Sequence, residues 1–336
     1  MHRRASFYLF APLILLHCSL FSYSSPDSVH LIIDAGSSGT RFCAYEVRVA
    51  DGCINETPDL NCFGAGADKG LADQSEAEVR ATLDAGFARL KDVQVQRAVL
   101  LGTGGFRKLT ASQQKRQMQI IQNDLLNHTS NATAAVISGE MEGRLSWLSM
   151  RSILRSDDHS ILETGGATIQ WADSSGLALS IPAGLNDFHR LSGPPDSCRD
   201  DATPSNERFA RCSEGLLKAL RSQIWYTTFF AAHNRSEVYV LGSAWRSIFS
   251  IRGDHRITID ELKDQGSRVC ASSLDAVNAM GVPAKFSARS CYLHAYQWTL
   301  LSELQITEVH MGNGSWPPGA AVSPDYFAEC ALPKNL

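Results

Sequence analysis

Leu31-Ile32-Ile33-Asp34-Ala35-Gly36-Ser37-Ser38-Gly39-Thr40-Arg41 is an apolar run that ends on a carboxylate and turns through glycine and serine. A second strand candidate follows it, at 42–49. Strand, tight turn, strand reads as a β-hairpin around a phosphate-sized loop. A weaker copy stands further along the chain, at Ile161-Leu162-Glu163-Thr164-Gly165-Gly166-Ala167-Thr168. Each copy has an apolar strand, a carboxylate, a glycine-rich turn and then a hydroxyl. Backbone N–H groups freed by glycine form anion-binding concavities. Taken alone, either turn reads more readily as an ordinary hairpin. The pair, at matching places in two halves of the chain, suggests two loops facing one another across a cleft.

Outward from these turns, strands and helices alternate. Helical spacing of Val79, Leu83, Phe87 and Leu90 predicts a helix over 76–90. Thr110 is a candidate cap for a helix running to about 126, and further helices are expected at 138–154, 213–232, 259–270 and 289–301. Strands are expected at 98–101, 134–137, 160–162, 177–181, 238–241 and 307–311. This alternation indicates an α/β protein with largely parallel sheets. The paired turns resemble those of the two-domain actin/Hsp70/sugar-kinase (RNase H-like) fold, with an interdomain active-site cleft. Motif positions then divide the chain into a first domain of 25–137 plus 304–336 and a second of 138–303.

The formal net charge of −4 argues against a nucleic-acid binder. Residues 1–24 read as a signal peptide, with basic Arg3 and Arg4, an apolar run over 7–16, and small Ser22 and Ser24 before a cleavage point. The run is too short, and too interrupted by Pro12, for a stable membrane anchor. A secreted or periplasmic location follows. Of nine cysteines, Cys18 lies in that segment. The others suggest four disulfides: local proximity favours Cys53–Cys62, Cys198–Cys212 and Cys270–Cys291, which leaves Cys43 with Cys330. The oligomeric state is left open.

Six segments, in order over residues 30–322, resemble those of the ecto-nucleoside triphosphate diphosphohydrolases, or apyrases. They are 33–41, Gly102-Thr103-Gly104-Gly105-Phe106-Arg107, Ser138-Gly139-Glu140-Met141-Glu142-Gly143 with Trp147, 163–170, Tyr296-Gln297-Trp298-Thr299-Leu300-Leu301 and Trp316-Pro317-Pro318-Gly319-Ala320. The resemblance implies hydrolysis of nucleoside tri- and diphosphates with Mg²⁺ or Ca²⁺. It implies Glu142 as the base and Thr168 and Gln170 as the groups holding the attacking water. Asp34 and Glu163 would hold the cation through water. Ser37, Ser38, Gly39, Thr40, Arg41, Thr103, Arg107, Gly165, Gly166 and Ala167 would bind phosphates.

Periodicity alone does not select the base. Met141, Leu145 and Leu148 form the apolar stripe of the third segment's helix, and Glu140 and Glu142 lie about 100° to either side of it. Two departures from the family stand out. Glu163 occupies a position that usually holds aspartate, whose exchange is expected to leave or raise activity. The stretch 238–247, containing Trp245 and Arg246, departs from the family's nucleoside-side motif and leans towards exopolyphosphatases, as does 137–142. Trp245 is a candidate for stacking on a base, but a buried tryptophan is the stronger reading. An exopolyphosphatase-like enzyme and a nucleotide-gated binding protein of the actin/Hsp70 class are the alternatives.

Overall fold

The computed structural model describes residues 28–37, 39–48, 53–55, 62–66, 69–192, 196–199, 204–231 and 237–327. The segment 1–24, expected to be a signal peptide, and Cys330 lie outside them.

The first sheet holds β1 (Ser28–Ala35), β2 (Thr40–Arg48), β3 (Cys53–Asn55), β4 (Phe63–Ala65), β5 (Val95–Gly102) and β6 (Ala132–Val136). Its order is β3-β2-β1-β5-β6, with β4 also pairing β2. β1 runs antiparallel to β2 and parallel to β5, which is parallel to β6. The second sheet holds β7 (Ser160–Thr164), β8 (Ile169–Asp173), β9 (Ala178–Ile181), β10 (Val238–Leu241), β11 (Arg256–Thr258) and β12 (Glu308–Met311), ordered β11-β12-β10-β7-β8-β9. The run β9-β8-β7-β10-β12 repeats the topology of β3-β2-β1-β5-β6, with β7 antiparallel to β8 and parallel to β10. The internal repeat read from two turns is therefore a repeat of whole sheets.

The helices are α1 (Glu76–Ala88), α2 (Gly104–Arg107), α3 (Ala111–His128), α4 (Gly139–Leu154), α5 (Leu185–Ser192), α6 (Arg208–Arg221), α7 (Tyr226–Phe230), α8 (Ser243–Phe249), α9 (Ile259–Ala271), α10 (Leu274–Ala279), α11 (Ala284–Ser287), α12 (Ser290–Glu303) and α13 (Trp316–Ala321). Several start where polar side chains satisfy the free N–H groups of the first turn. Ser75 with Glu78, Thr110 with Gln113 and Thr258 with Glu261 form reciprocal capping boxes on α1, α3 and α9. The Ser138 hydroxyl accepts from the Met141 N–H at 3.1 Å and caps α4.

α1 and α3 cover one face of the first sheet through Val79, Leu83, Ile121 and Leu125. α6, α8, α9 and α12 build the larger core of the second. α4 joins the two halves. Its Leu145 packs with Ile32, Leu101 and Trp316, while Met150 packs with Ile161 and Leu241. α13 lies so close to α4 that a Cβ on Gly319 would sit 1.7 Å from the Leu145 carbonyl oxygen. The chain thus returns to the first sheet near its end, but only after Met311. β12 is a strand of the second sheet.

Three disulfides are present among the described residues: Cys43–Cys62, Cys198–Cys212 and Cys270–Cys291. The expected Cys53–Cys62 and Cys43–Cys330 pairs are corrected by the first. β2 and β4 pair antiparallel with Phe42 opposite Phe63, which sets Cys43 opposite Cys62 with Cα atoms 4.1 Å apart. The helix expected over 213–232 breaks after Arg221 and resumes at Tyr226 as α7. The break lets Phe229 reach the core while Ile224 stays 99% exposed.

Candidate active site

The two glycine-rich turns are hairpin loops in one register. β1 ends at Ala35 and β2 starts at Thr40; β7 ends at Thr164 and β8 starts at Ile169. Asp34 therefore faces Arg41 across its ladder, as Glu163 faces Gln170. The carboxylates are structurally equivalent. The hydroxyls are one residue out of step: Thr40 opens its strand, whereas Thr168 closes its turn and bonds back through its carbonyl to the Gly165 N–H at 3.0 Å.

Other segments press the loops into place. A Cβ on Gly105 would lie 3.0 Å from the Ser37 Cα, and one on Gly104 would lie 3.1 Å from the Ala167 Cβ. The start of α2 thus touches both loops and closes the floor between them. Gly184 backs the second loop, where any side chain would meet the Ala167 backbone at 2.3 Å. Lys108 and Asp187 form an ion pair of 2.8 Å between α2's end and α5.

Charged side chains converge on this floor. Arg107 donates from Nη1 to the Ile137 carbonyl at 3.1 Å and from Nη2 to Glu142 Oε2 at 2.9 Å and Thr168 Oγ1 at 3.4 Å. Gln170 donates from Nε2 to the same Thr168 hydroxyl at 2.5 Å. Burial pushes the Glu142 carboxyl above its ordinary range, and the Arg107 guanidinium pulls it back. Asp34 is buried at the end of β1, its carboxylate held by Arg41. Burial raises its carboxyl too, against the opposing Arg41 charge. Glu163 accepts a hydrogen bond from the Ser146 hydroxyl of α4. Burial, then the nearby charge of Glu142, pushes its carboxyl up to about 8.

This geometry separates residues that the sequence left together. Glu140 is exposed on the outer side of α4, whereas Glu142 is in the charged cluster. Gly165, Gly166 and Ala167 form the second loop, whose Gly165 and Gly166 carbonyls accept from the Leu185, Asn186 and Asp187 N–H groups. Ser37 is exposed in the first loop and Gly39 is half-buried; Ser38 lies outside the described residues. The Thr40 hydroxyl is buried and has no hydrogen-bond partner among the described residues. Thr103 turns inward, giving its N–H to the Ala35 carbonyl at 3.2 Å. Trp245 is fully buried and donates to Thr164 Oγ1 at 3.3 Å, so it offers no face to a base. Sequence reasoning missed Ser146. Its signal was its place one helical turn after Glu142.

The donor set suits a hard, hydrated cation. Asp34, Glu142 and Glu163 place three carboxyl groups in one electrostatic neighbourhood, where mutual repulsion raises Glu163. Among the described residues no three ligating side chains stand close enough to chelate an ion directly. One or two carboxylates acting through retained waters match Mg²⁺ better than a direct cage does.

No protein-family model matches the chain, and none of the curated proteins matches it in sequence. Solved structures do. A Ppx/GppA family member from Aquifex aeolicus superposes with a TM-score of 0.65 over 88% of this chain and 96% of its own, at 13% identity. The chain has the actin/Hsp70-like two-domain fold. An exopolyphosphatase from Cytophaga hutchinsonii has a TM-score of 0.56, covers 87% of this chain and 96% of its own, and is 12% identical. A nucleoside triphosphate hydrolase from Neospora caninum has the same score over 91% of this chain and 93% of its own, at 13% identity. Among the described residues, no helix is long and apolar enough to cross a membrane.

Proposed function

We propose that this chain is a divalent-cation-dependent phosphohydrolase that removes terminal phosphates from phosphoanhydrides, and that it recognises the phosphate chain itself. The observation that carries this reading is the convergence of Glu142, Arg107, Thr168 and Gln170 between two equivalent hairpin loops. Hydrolysis of a terminal phosphate requires an in-line water, a group to orient or deprotonate it, and neutralisation of the equatorial oxygens. Glu142 accepts the proton of the attacking water. Its carboxyl is raised by burial yet held by Arg107, a balance that suits a general base. The Thr168 hydroxyl and the Gln170 amide hold that water. Ser37, Ser38, Gly39, Thr40, Thr103 and Gly165 to Ala167 contribute the phosphate cradle, and Arg41 and Arg107 contribute charge. A bound Mg²⁺ or Ca²⁺, held through water by Asp34 and Glu163, would neutralise phosphate oxygens.

The burial of Trp245 supports recognition of the phosphate chain rather than a base. Polyphosphate is accordingly the preferred substrate. Nucleoside tri- and diphosphates form the second reading, which the six apyrase-like segments in order support. The first domain is 28–137 with 312–327, and the second is the part between. The three disulfides support export through the signal peptide of 1–24. The test is phosphate release from polyphosphate, ATP and ADP, each with and without EDTA. Faster release from polyphosphate, abolished by chelator and restored by Mg²⁺ or Ca²⁺, is expected. Full turnover in chelator would overturn the metal assignment. A strict need for a nucleoside would replace the first substrate reading with the second.

A further inference from the structure

Resting on that reading, we infer that Ser146 is a positioning residue that sets the carboxylate of Glu163, so that the longer acid serves where a shorter one would otherwise stand. A serine inside a helix ordinarily returns its hydroxyl to the carbonyl four residues back. Ser146 is fully buried in the middle of α4, and its hydroxyl instead donates across to Glu163 Oε2 on β7. That bond ties the helix to the sheet that carries Glu163. Gly143 lets it approach so closely that a Cβ there would stand 3.1 Å from the Gln170 Cβ. Glu142 and Ser146 are one turn apart, so a single rigid element presents both the base and the anchor for the metal-side carboxylate.

The extra methylene of glutamate moves its carboxyl outward by about 1.5 Å relative to aspartate. Held by one oxygen against α4, that carboxyl keeps its place although the charge of Glu142, one turn away on the same helix, repels it. Its second oxygen is left for a water on the cation. An aspartate at the same position would fall short of the serine. Glu163 and Ser146 therefore form a matched pair, and exchange to aspartate does not simply restore a better ligand.

The test is a double-mutant cycle read by direct titration of Mn²⁺ into the whole protein without substrate. Hydrogen bonds to charged groups are strong enough that Ser146→Ala should weaken Mn²⁺ binding about tenfold. Ser146→Thr, which keeps the hydroxyl, should recover most of that loss. In the Glu163→Asp background, Ser146→Ala should cost less than about twofold, because the bond is already gone. Melting curves establish that each variant is folded. If the added methyl of threonine unfolds the chain, the alanine cycle alone decides. Equal losses from Ser146→Ala in both backgrounds would overturn the inference, as would a wild-type chain that binds no Mn²⁺. Absence of phosphate release with metal binding and coupling intact would instead overturn the phosphohydrolase reading and leave the pair standing.

Discussion

Replacing Glu142 by glutamine removes a proton acceptor while leaving the architecture around it. The side chain keeps its length and an oxygen that can still accept from Arg107 Nη2, now 2.9 Å from Oε2. The pair is largely buried, with the arginine 22% and the glutamate 13% exposed, so leaving Arg107 without its counter-charge should cost about 1–3 kcal/mol of stability even though the glutamine oxygen still accepts. The melting temperature should then fall by about 2–12 °C. The chemical step responds differently. A positioned base contributes about 10²–10⁴-fold, which is about 2.7–5.4 kcal/mol of barrier. kcat for phosphate release should fall by that factor. Metal binding should persist, because Asp34 and Glu163, which are proposed to hold the cation, are unchanged. Steady-state phosphate release, Mn²⁺ titration and thermal melting read these three effects separately. The control is Glu140→Gln, on the exposed side of the same turn, which should stay near wild type. An inactive Glu140→Gln beside a normal Glu142→Gln would refute the register of α4. Two active variants would refute hydrolysis at this site.

Without divalent cations, the native state holds a proton on Glu163 from its ordinary 4.5 up to about 8. That group then binds more protons folded than unfolded across the window. Below about pH 6.5 the buried His294, lowered to about 4, opposes this by binding fewer protons folded than unfolded, so the loss of stability with rising pH should show between about 6.5 and 8. Saturating Mg²⁺ should flatten the decline, and melts at about pH 7, 7.5 and 8 check both; a rise in stability over this range without metal would contradict the carboxyl's placement. Non-reducing peptide mapping should recover the link Cys43–Cys62, and finding Cys62 joined to Cys53 would contradict the β2–β4 register. Replacing Cys270 and Cys291 together by alanine opens a link of sequence separation 21 and should cost about 3 kcal/mol by urea titration. Trp245→Phe removes the bond to Thr164 and part of a packed side chain. It should cost about 1–3 kcal/mol without altering the ratio of KM values for ATP and polyphosphate, and a selective rise in KM for ATP would return this tryptophan to the substrate.

Local patterns determined a large share of this protein. The alternation of strand and helix, the capping residues Ser138 and Thr110, and the apolar stripe of α4 all lie within a turn or two of sequence, where propensity and capping act. The two hairpins were legible for the same reason, since a glycine-rich turn between apolar runs closes on itself. The pairs Cys198–Cys212 and Cys270–Cys291 followed from short separations. What the sequence could not decide depends on where distant elements meet. Cys43 finds Cys62 because β4 adds to β2, and no spacing rule contains that edge. Glu142 and Glu140 are symmetric about the α4 stripe, and only Arg107, carried in from the turn after β5, distinguishes them. β12 joins the second sheet because its neighbours there are β10 and β11, strands some 50 to 70 residues earlier in the chain. Ser146 has no motif of its own, and its role exists only because Gly143 lets α4 settle onto β8. Helices, turns and caps are set by interactions a few residues long. Partner choice, burial and the electrostatics of a carboxyl cluster are set by the packing of surfaces far apart in the chain, which only the folded molecule brings together.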